Sequence, residues 1–169
     1  RAHCRSGNER DRLRAGTGRL EFLRTQKLLA DVLPPEPAVV LDVGGAAGVH
    51  AEPLAALGYE VHLIDLVPLH VEQARGVPGL ASVAVGDARA LDWSDASVDA
   101  VLLLGPLYHL TERADRVRAL TEGRRVLRPG GVLAAAAISR YASTVDGLIR
   151  GHLREPGFEH SETVHTGSR

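Results

Sequence analysis

Short, almost wholly apolar runs recur along the chain, and all but the third are followed by a segment with helical spacing. Residues 38–44 (AVVLDVG), 59–66 (YEVHLIDL), 81–88 (ASVAVGDA), 98–105 (VDAVLLLG) and 132–139 (VLAAAAIS) predict strands. Runs with so little polar alternation suit strands covered on both faces. The spacing predicts helices over 19–33, 48–57, 69–75, 111–127 and 142–154. In the first of these, Leu20, Leu23, Leu28, Leu29 and Val32 recur with Phe22 beside them, at close to helical period. The helix ends carry their own signals. PPEP at 34–37 stops the first helix, because proline disfavours a helical residue before it. Gly58 closes the second, Thr111 caps the fourth, and RPGG at 128–131 breaks it ahead of the fifth strand.

Strands alternating with helices imply an α/β fold: a Rossmann-like, doubly wound, mostly parallel sheet in a three-layer sandwich. Residues 1–33 are expected to form an N-terminal helical segment covering part of the site, 34–140 the core, and 141–169 a C-terminal helix with an incomplete substrate region. In such sheets ligands sit beyond the carboxyl ends of the strands, where strand order reverses. Strand ends and the loops after them are therefore the places to look for chemistry.

Composition narrows the classes. The formal net charge is −1 and Lys27 is the single lysine, so no broad basic field points to nucleic acid. No apolar run reaches the roughly 18 residues of a membrane span. The lone cysteine, Cys4, cannot form an internal disulfide, which fits a reducing, cytoplasmic setting. There is no methionine, even at the start, which points to a processed or trimmed chain. Histidines such as His50, His62 and His70 are scattered without ligand spacing, so no metal site is expected.

The first strand runs into DVGGAAG, with Gly44, Ala46 and Gly48 at alternate positions. Small residues there allow a tight turn and let a ligand approach bare backbone, and an alanine at 46 is tolerable where its φ stays negative. The second strand ends at Asp65, 21 residues past Gly44. An acid at about that distance can accept both hydroxyls of a ribose, and an aspartate there also suits a helix cap. The third strand ends in GDA, where Asp87 can accept a hydrogen bond from an adenine amino group, with Ala88 leaving room for the ring; a plain turn residue is the other reading.

Together, VLDVGGAAG, VHLIDL, VGDARAL, VDAVLLLGPLYHL and RRVLRPGGVL, in that order within residues 39–138, resemble the class I S-adenosylmethionine-dependent methyltransferases of the small-molecule type. The resemblance implies S-adenosylmethionine as cofactor. It implies that Asp42 holds the methionine part, that the backbone of Gly44, Gly45, Ala46 and Gly48 lies against it, and that Asp65 takes the ribose. Leu66 would then flank the adenine, Asp87 and Ala88 would meet its edge, and Leu104 and Gly105 would lend backbone near the cofactor's amino group. Ala46 departs from the usual glycine triplet. The dinucleotide pattern G-x-G-x-x-G falls on Gly44, Ala46 and Val49, missing two of its glycines, which counts against a nicotinamide enzyme.

Methyl transfer from a sulfonium needs positioning first, and a base only where the acceptor holds its proton. GPLYHL, after the fourth strand, offers Tyr108 and His109; a pocket wall and a backbone-bonded helix-start residue are their structural readings. Arg19, Glu21, Arg24 and Thr25 of the first helix either close over the cofactor or form a solvated face. EPGFEHSETVHTGSR at the end does not read as the pair of antiparallel strands that similar enzymes add, so the C-terminal hairpin is expected to be missing or incomplete. The expected partner is a small-molecule methyl acceptor, with no nucleic acid and no membrane; an NPPY-like motif after the fourth strand is absent. Two rivals remain: a nicotinamide-dependent oxidoreductase on a similar sheet, and a non-catalytic relative acting as a partner subunit.

Overall fold

The computed structural model describes residues 16–139 and 141–151. They belong to two compact units, one ending at Ala136 and the other starting at Ala137. In the first unit, β1 (Val39–Val43), β2 (Glu60–Asp65), β3 (Ser82–Val85), β4 (Val98–Leu103) and β5 (Leu127–Ala135) form one sheet in the order β3-β2-β1-β4-β5. Every pairing is parallel, with Asp42 opposite Leu63 on one side and Leu102 on the other. The chain winds outward from β1 to β3, then crosses back to β4. The order therefore reverses between β1 and β4, as the doubly wound reading expects.

Helices cover both faces. Leu29 of α1 (Gly16–Val32), Ala51 and Leu54 of α2 (Ala51–Ala56) and Ala74 of α3 (Pro68–Ala74) pack with Val40, Val61, Leu63, Ala100 and Leu102. On the opposite face Val126 of α5 (Arg113–Val126) joins Leu41, Val43, Ile64, Val101 and Leu103. Leu41, Leu63, Leu102 and Leu103 are fully buried, each worth about 1.5–3 kcal/mol of transfer free energy. Gly123 lets α5 approach closely: a β-carbon there would lie 2.9 Å from Leu133 Cδ1.

Between β3 and β4 the second face is closed by irregular chain rather than a helix. Leu91 is buried there and Trp93 packs beside it. Two residues of α5 hold this segment. Arg125 donates to the carbonyls of Leu91 (2.8 Å) and Trp93 (2.7 Å) and to Asp95 (2.7 Å). Glu122 accepts from the Leu91 amide at 2.8 Å and from Arg125 at 2.8 Å, which holds its carboxyl below the usual range. Backbone groups that a helix would have satisfied are met by these side chains instead.

Several sequence expectations shift. The second helix starts at Ala51 rather than 48, because residues 46–50 are turns that begin with two left-handed residues close together. The fourth predicted helix is entered at Glu112, and no side chain makes a cap hydrogen bond there, so Thr111 is not the cap. RPGG does not separate helix from strand: β5 begins at Leu127 and the four residues form an excursion within it. The register steps from Val98–Leu127 to Ala100–Val132, with Gly130 at φ 84. In α1 only Leu29 of the apolar set is buried, while Leu20, Leu23, Leu28 and Val32 are exposed. The second unit's described helix, α6 (Ala142–Arg150), ends on Gly151 at φ 77; the predicted extension to 154 and the C-terminal segment lie outside the described residues.

The Arg125 clamp makes a prediction. Arg125→Ala is expected to destabilise the protein by about 1–3 kcal/mol in urea unfolding, since it leaves two part-buried carbonyls without their donor. Arg75→Ala, whose pairing with Glu72 is exposed, is expected to cost under about 0.5 kcal/mol. Equal effects would show that the clamp contributes nothing special.

Candidate active site

The loops after β1 and β4 meet at the point of strand reversal. Gly44 has φ 70, a conformation that side chains disfavour, and a β-carbon on it would lie 2.7 Å from Pro106 Cγ. Gly105, from the other loop, faces the Gly44 carbonyl, 3.2 Å from where its own β-carbon would be. Pro106 opens α4 (Pro106–His109), a short helical turn that the spacing did not predict, and His109 ends it rather than starting a helix. Proline at the first helical position is the signal that marks it. The glycines thus answer to the chain's own packing as well as to any ligand: Gly45 lies against Asp42 and Leu63, and Gly48, at φ 81, against Val77.

Ala46 differs from expectation. Its φ is 50, not negative, so an alanine occupies a left-handed position that costs roughly 1–2 kcal/mol. What holds it there is Asp65. Oδ2 of Asp65 accepts the Ala46 amide at 2.9 Å, while Oδ1 accepts the Val67 amide at 2.8 Å and bonds His70 Nδ1 at 3.1 Å. Asp65, 6% exposed, therefore ties the loop after β1 to the start of α3. Asp65 is not the cap of α3: Val67 holds the cap position with no side-chain cap bond, and Asp65 accepts its amide from ahead of the helix. His70 carried no signal in the sequence beyond lying five residues along.

Asp42 is the odd member. It points to the same face as its register partner Leu63, and so to the same face as Asp65. It is 1% exposed, and Oδ2 has no hydrogen-bond partner among the described residues. Burial, and then the charge of Asp65, push its carboxyl up to about 7. Buried polar groups are nearly always bonded, so an orphaned carboxyl oxygen at a strand end calls for a reason. A cationic ligand arriving at this end of the sheet is one: it would favour the ionised form that burial disfavours.

The remaining predicted residues line the same edge of the sheet. Leu66 is 61% exposed just past β2, Leu104 packs partly into the core, and Ala88 packs against the opposite face's core. Asp87 is engaged: Arg89 grips both of its oxygens, with its Nη2 at 2.7 Å from Oδ2. That hydrogen bonding holds the Asp87 carboxyl below the usual carboxylate range. Tyr108 and His109 are exposed neighbours on α4, ring centroids 4.8 Å apart. Over the loop after β1, α1 contributes Phe22, stacked on His50 at 5.6 Å, and Gln26, whose Nε2 is 3.0 Å from His50 Nδ1. Arg19, Glu21 and Arg24 are exposed on that helix. Among the described residues no three His, Cys, Asp or Glu side chains gather as metal ligands would. No described helix is long and apolar enough to cross a membrane.

Residues 41–135 match the profile of the family described as "Methyltransferase domain". A ubiquinone biosynthesis O-methyltransferase of Methylocella silvestris is 35% identical over 69% of this chain and 47% of its own length. A demethylmenaquinone methyltransferase of Renibacterium salmoninarum is 37% identical over 69% of this chain and 48% of its own length. The chain thus spans about half the length of these relatives. Among solved structures, the S-adenosylmethionine-bound amino pentose methyltransferase CalS10 of Micromonospora echinaspora superposes with a TM-score of 0.58 at 28% identity, covering 70% of this chain and 50% of its own.

Two variants test the geometry. Above the unfolded value of 3.8 the unfolded chain ionises at Asp42, while the folded protein keeps the proton until about pH 7, so this group's contribution to stability falls across that window. At about 1.4 kcal/mol per pH unit, the stability of Asp42→Asn relative to wild type should rise by up to about 4 kcal/mol between roughly pH 4 and pH 8, read from denaturant midpoints. A flat difference would mean that Asp42 ionises freely. Ala46→Gly should stabilise the protein by about 0.5–1 kcal/mol, the relief of left-handed strain less the entropy of glycine. A loss of stability would count against the left-handed turn.

Proposed function

The chain belongs to the class I S-adenosylmethionine-dependent methyltransferases, and on that premise we propose that it moves the cofactor's methyl group to a small-molecule acceptor brought to the end of β4. The observation that carries this reading is Asp42: a buried carboxyl with an unpartnered oxygen, beside a turn of small residues, fits a ligand bearing positive charge. In this reading Asp42 and the backbone of Gly44, Gly45, Ala46 and Gly48 hold the methionine part. Asp65 takes the ribose without giving up the loop it ties. Leu66 flanks the adenine, Asp87 and Ala88 meet its edge, and Leu104 and Gly105 lend backbone.

S-adenosylmethionine, when bound, supplies a methyl on a sulfonium, a group that leaves without help. The protein's own share is then to orient, to exclude water and to keep an acceptor in line. In this reading Tyr108 and His109, on the turn that Pro106 starts, would face the acceptor. The relatives named for ubiquinone biosynthesis and for demethylmenaquinone support a small-molecule acceptor.

Calorimetric titration tests the cofactor first. Saturable binding of S-adenosylhomocysteine without binding of NADH is expected, and the reverse result would replace this reading with an oxidoreductase. Methyl-labelled cofactor with a panel of phenols, amines and quinols tests transfer itself; binding without transfer to any of them would favour a partner subunit. His109→Ala is expected to slow transfer less than about tenfold, as positioning would, whereas a loss of roughly 10²–10⁴-fold would make His109 the base.

A further inference from the structure

Arg89 stands out because its guanidinium is held at both ends. Towards β3 it grips Asp87: Nε is shared between Oδ1 at 3.0 Å and Oδ2 at 3.2 Å, and Nη2 reaches Oδ2 at 2.7 Å, while the Arg89 amide adds a bond to Oδ1 at 2.9 Å. Towards α5, Nη1 donates to Asp115 Oδ2 at 2.8 Å, and Arg118 steadies Asp115 from the next turn at 3.3 Å. The backbone of Asp87 is fixed as well, its carbonyl accepting the Ala90 amide at 3.0 Å. A planar guanidinium bonded at both ends is restrained in orientation, and so is the carboxylate it grips.

The grip leaves room. Oδ1 has two good donors, whereas Oδ2 has one short bond and the long arm of a shared one, so Oδ2 keeps an accepting position. The Asp87 side chain is 31% exposed. Arg89 also keeps the carboxyl ionised, as an acceptor that never donates.

We propose that Arg89, anchored by Asp115, is the positioning residue that aims Asp87 and so sets which purine the site accepts. The inference rests on the cofactor reading above, in which Asp87 meets the adenine edge. A fixed carboxylate oxygen favours an exocyclic amino group and repels the carbonyl oxygen of a 6-oxopurine. Arg89 and Asp115 need not touch the ligand: they act through Asp87.

The test compares S-adenosylhomocysteine with S-inosylhomocysteine, its 6-oxo analogue, by calorimetry. Wild type should prefer the adenine form by at least about tenfold, the worth of one charge-assisted hydrogen bond. Arg89→Ala should bring that preference within about threefold, mostly by losing affinity for the adenine form, with Asp115→Asn moving the same way by less. In an Asp87→Asn background, Arg89→Ala should change the ratio no further. Arg89→Lys, which keeps the charge but not the two-ended grip, should also lose preference, and it serves if the alanine variant does not fold. A merely structural Arg89 would weaken both ligands equally and leave the ratio intact, which overturns the proposal. So would a wild type that binds both equally, with the cofactor reading left standing. A wild type that binds neither takes down the cofactor reading and this inference together.

Discussion

Donors from three places in the chain converge on one carboxylate. The amides of Ala46 and Val67 and the ring of His70 all meet Asp65, and most of the site's geometry follows from that. Without an acceptor there, the amide of an alanine at φ 50 would lose its partner, leaving the turn after β1 to the bonds of Gly44 and Gly45 with Ile64. The bond across from β1's loop to β2's end fixes the height of that turn above the sheet. Gly44 then faces Pro106 and the two loops of the strand reversal close on each other. A single buried anion thus substitutes for the side-chain packing that a loop of glycines and alanines cannot supply.

The same anion has a cost that falls on its neighbour. Asp42 shares a face with Asp65 and sits deeper, so it bears both desolvation and like-charge repulsion. Asp65 keeps donors on both oxygens; Asp42 Oδ2 has none. Two carboxyls at adjacent strand ends have been given opposite environments, one with donors on both oxygens and one whose burial disfavours its charged form. An orphaned oxygen at Asp42, at the end of β1, and strain at Ala46, in the turn that follows, break local rules close together.

Much of this was legible in the amino-acid sequence. Apolar runs such as AVVLDVG and VDAVLLLG read as buried parallel strands because two covered faces leave no room for polar alternation, and the strand-end positions of Asp42, Asp65 and Asp87 came with them. What stayed hidden depended on contacts distant in sequence. Nothing local says that Gly44 must yield to Pro106, that Arg125 replaces the cover a helix would give to Leu91 and Trp93, or that Arg89 reaches Asp115 on another element. RPGG misled for a related reason. Its residues look like a stop, but pairing with β4 on either side carries them within the strand as an excursion. The apolar set of α1 misled in the opposite sense: helical spacing was present, yet only Leu29 found a core to enter.

Gly123 gives the packing of α5 a reach beyond the core. A methyl group there would crowd Leu133 at 2.9 Å with Leu103 and Val101 just behind, so either Leu133 turns aside or the helix lifts from the sheet. The same helix carries Asp115, Glu122 and Arg125. Those side chains hold Arg89 and the chain from Leu91 to Asp95 at distances that tolerate little movement. The helix behaves as a lever, with its fulcrum at a residue that has no side chain. A helix lifted at Gly123 would move all of these side chains at once, so the volume of one buried position bears on contacts well outside the core.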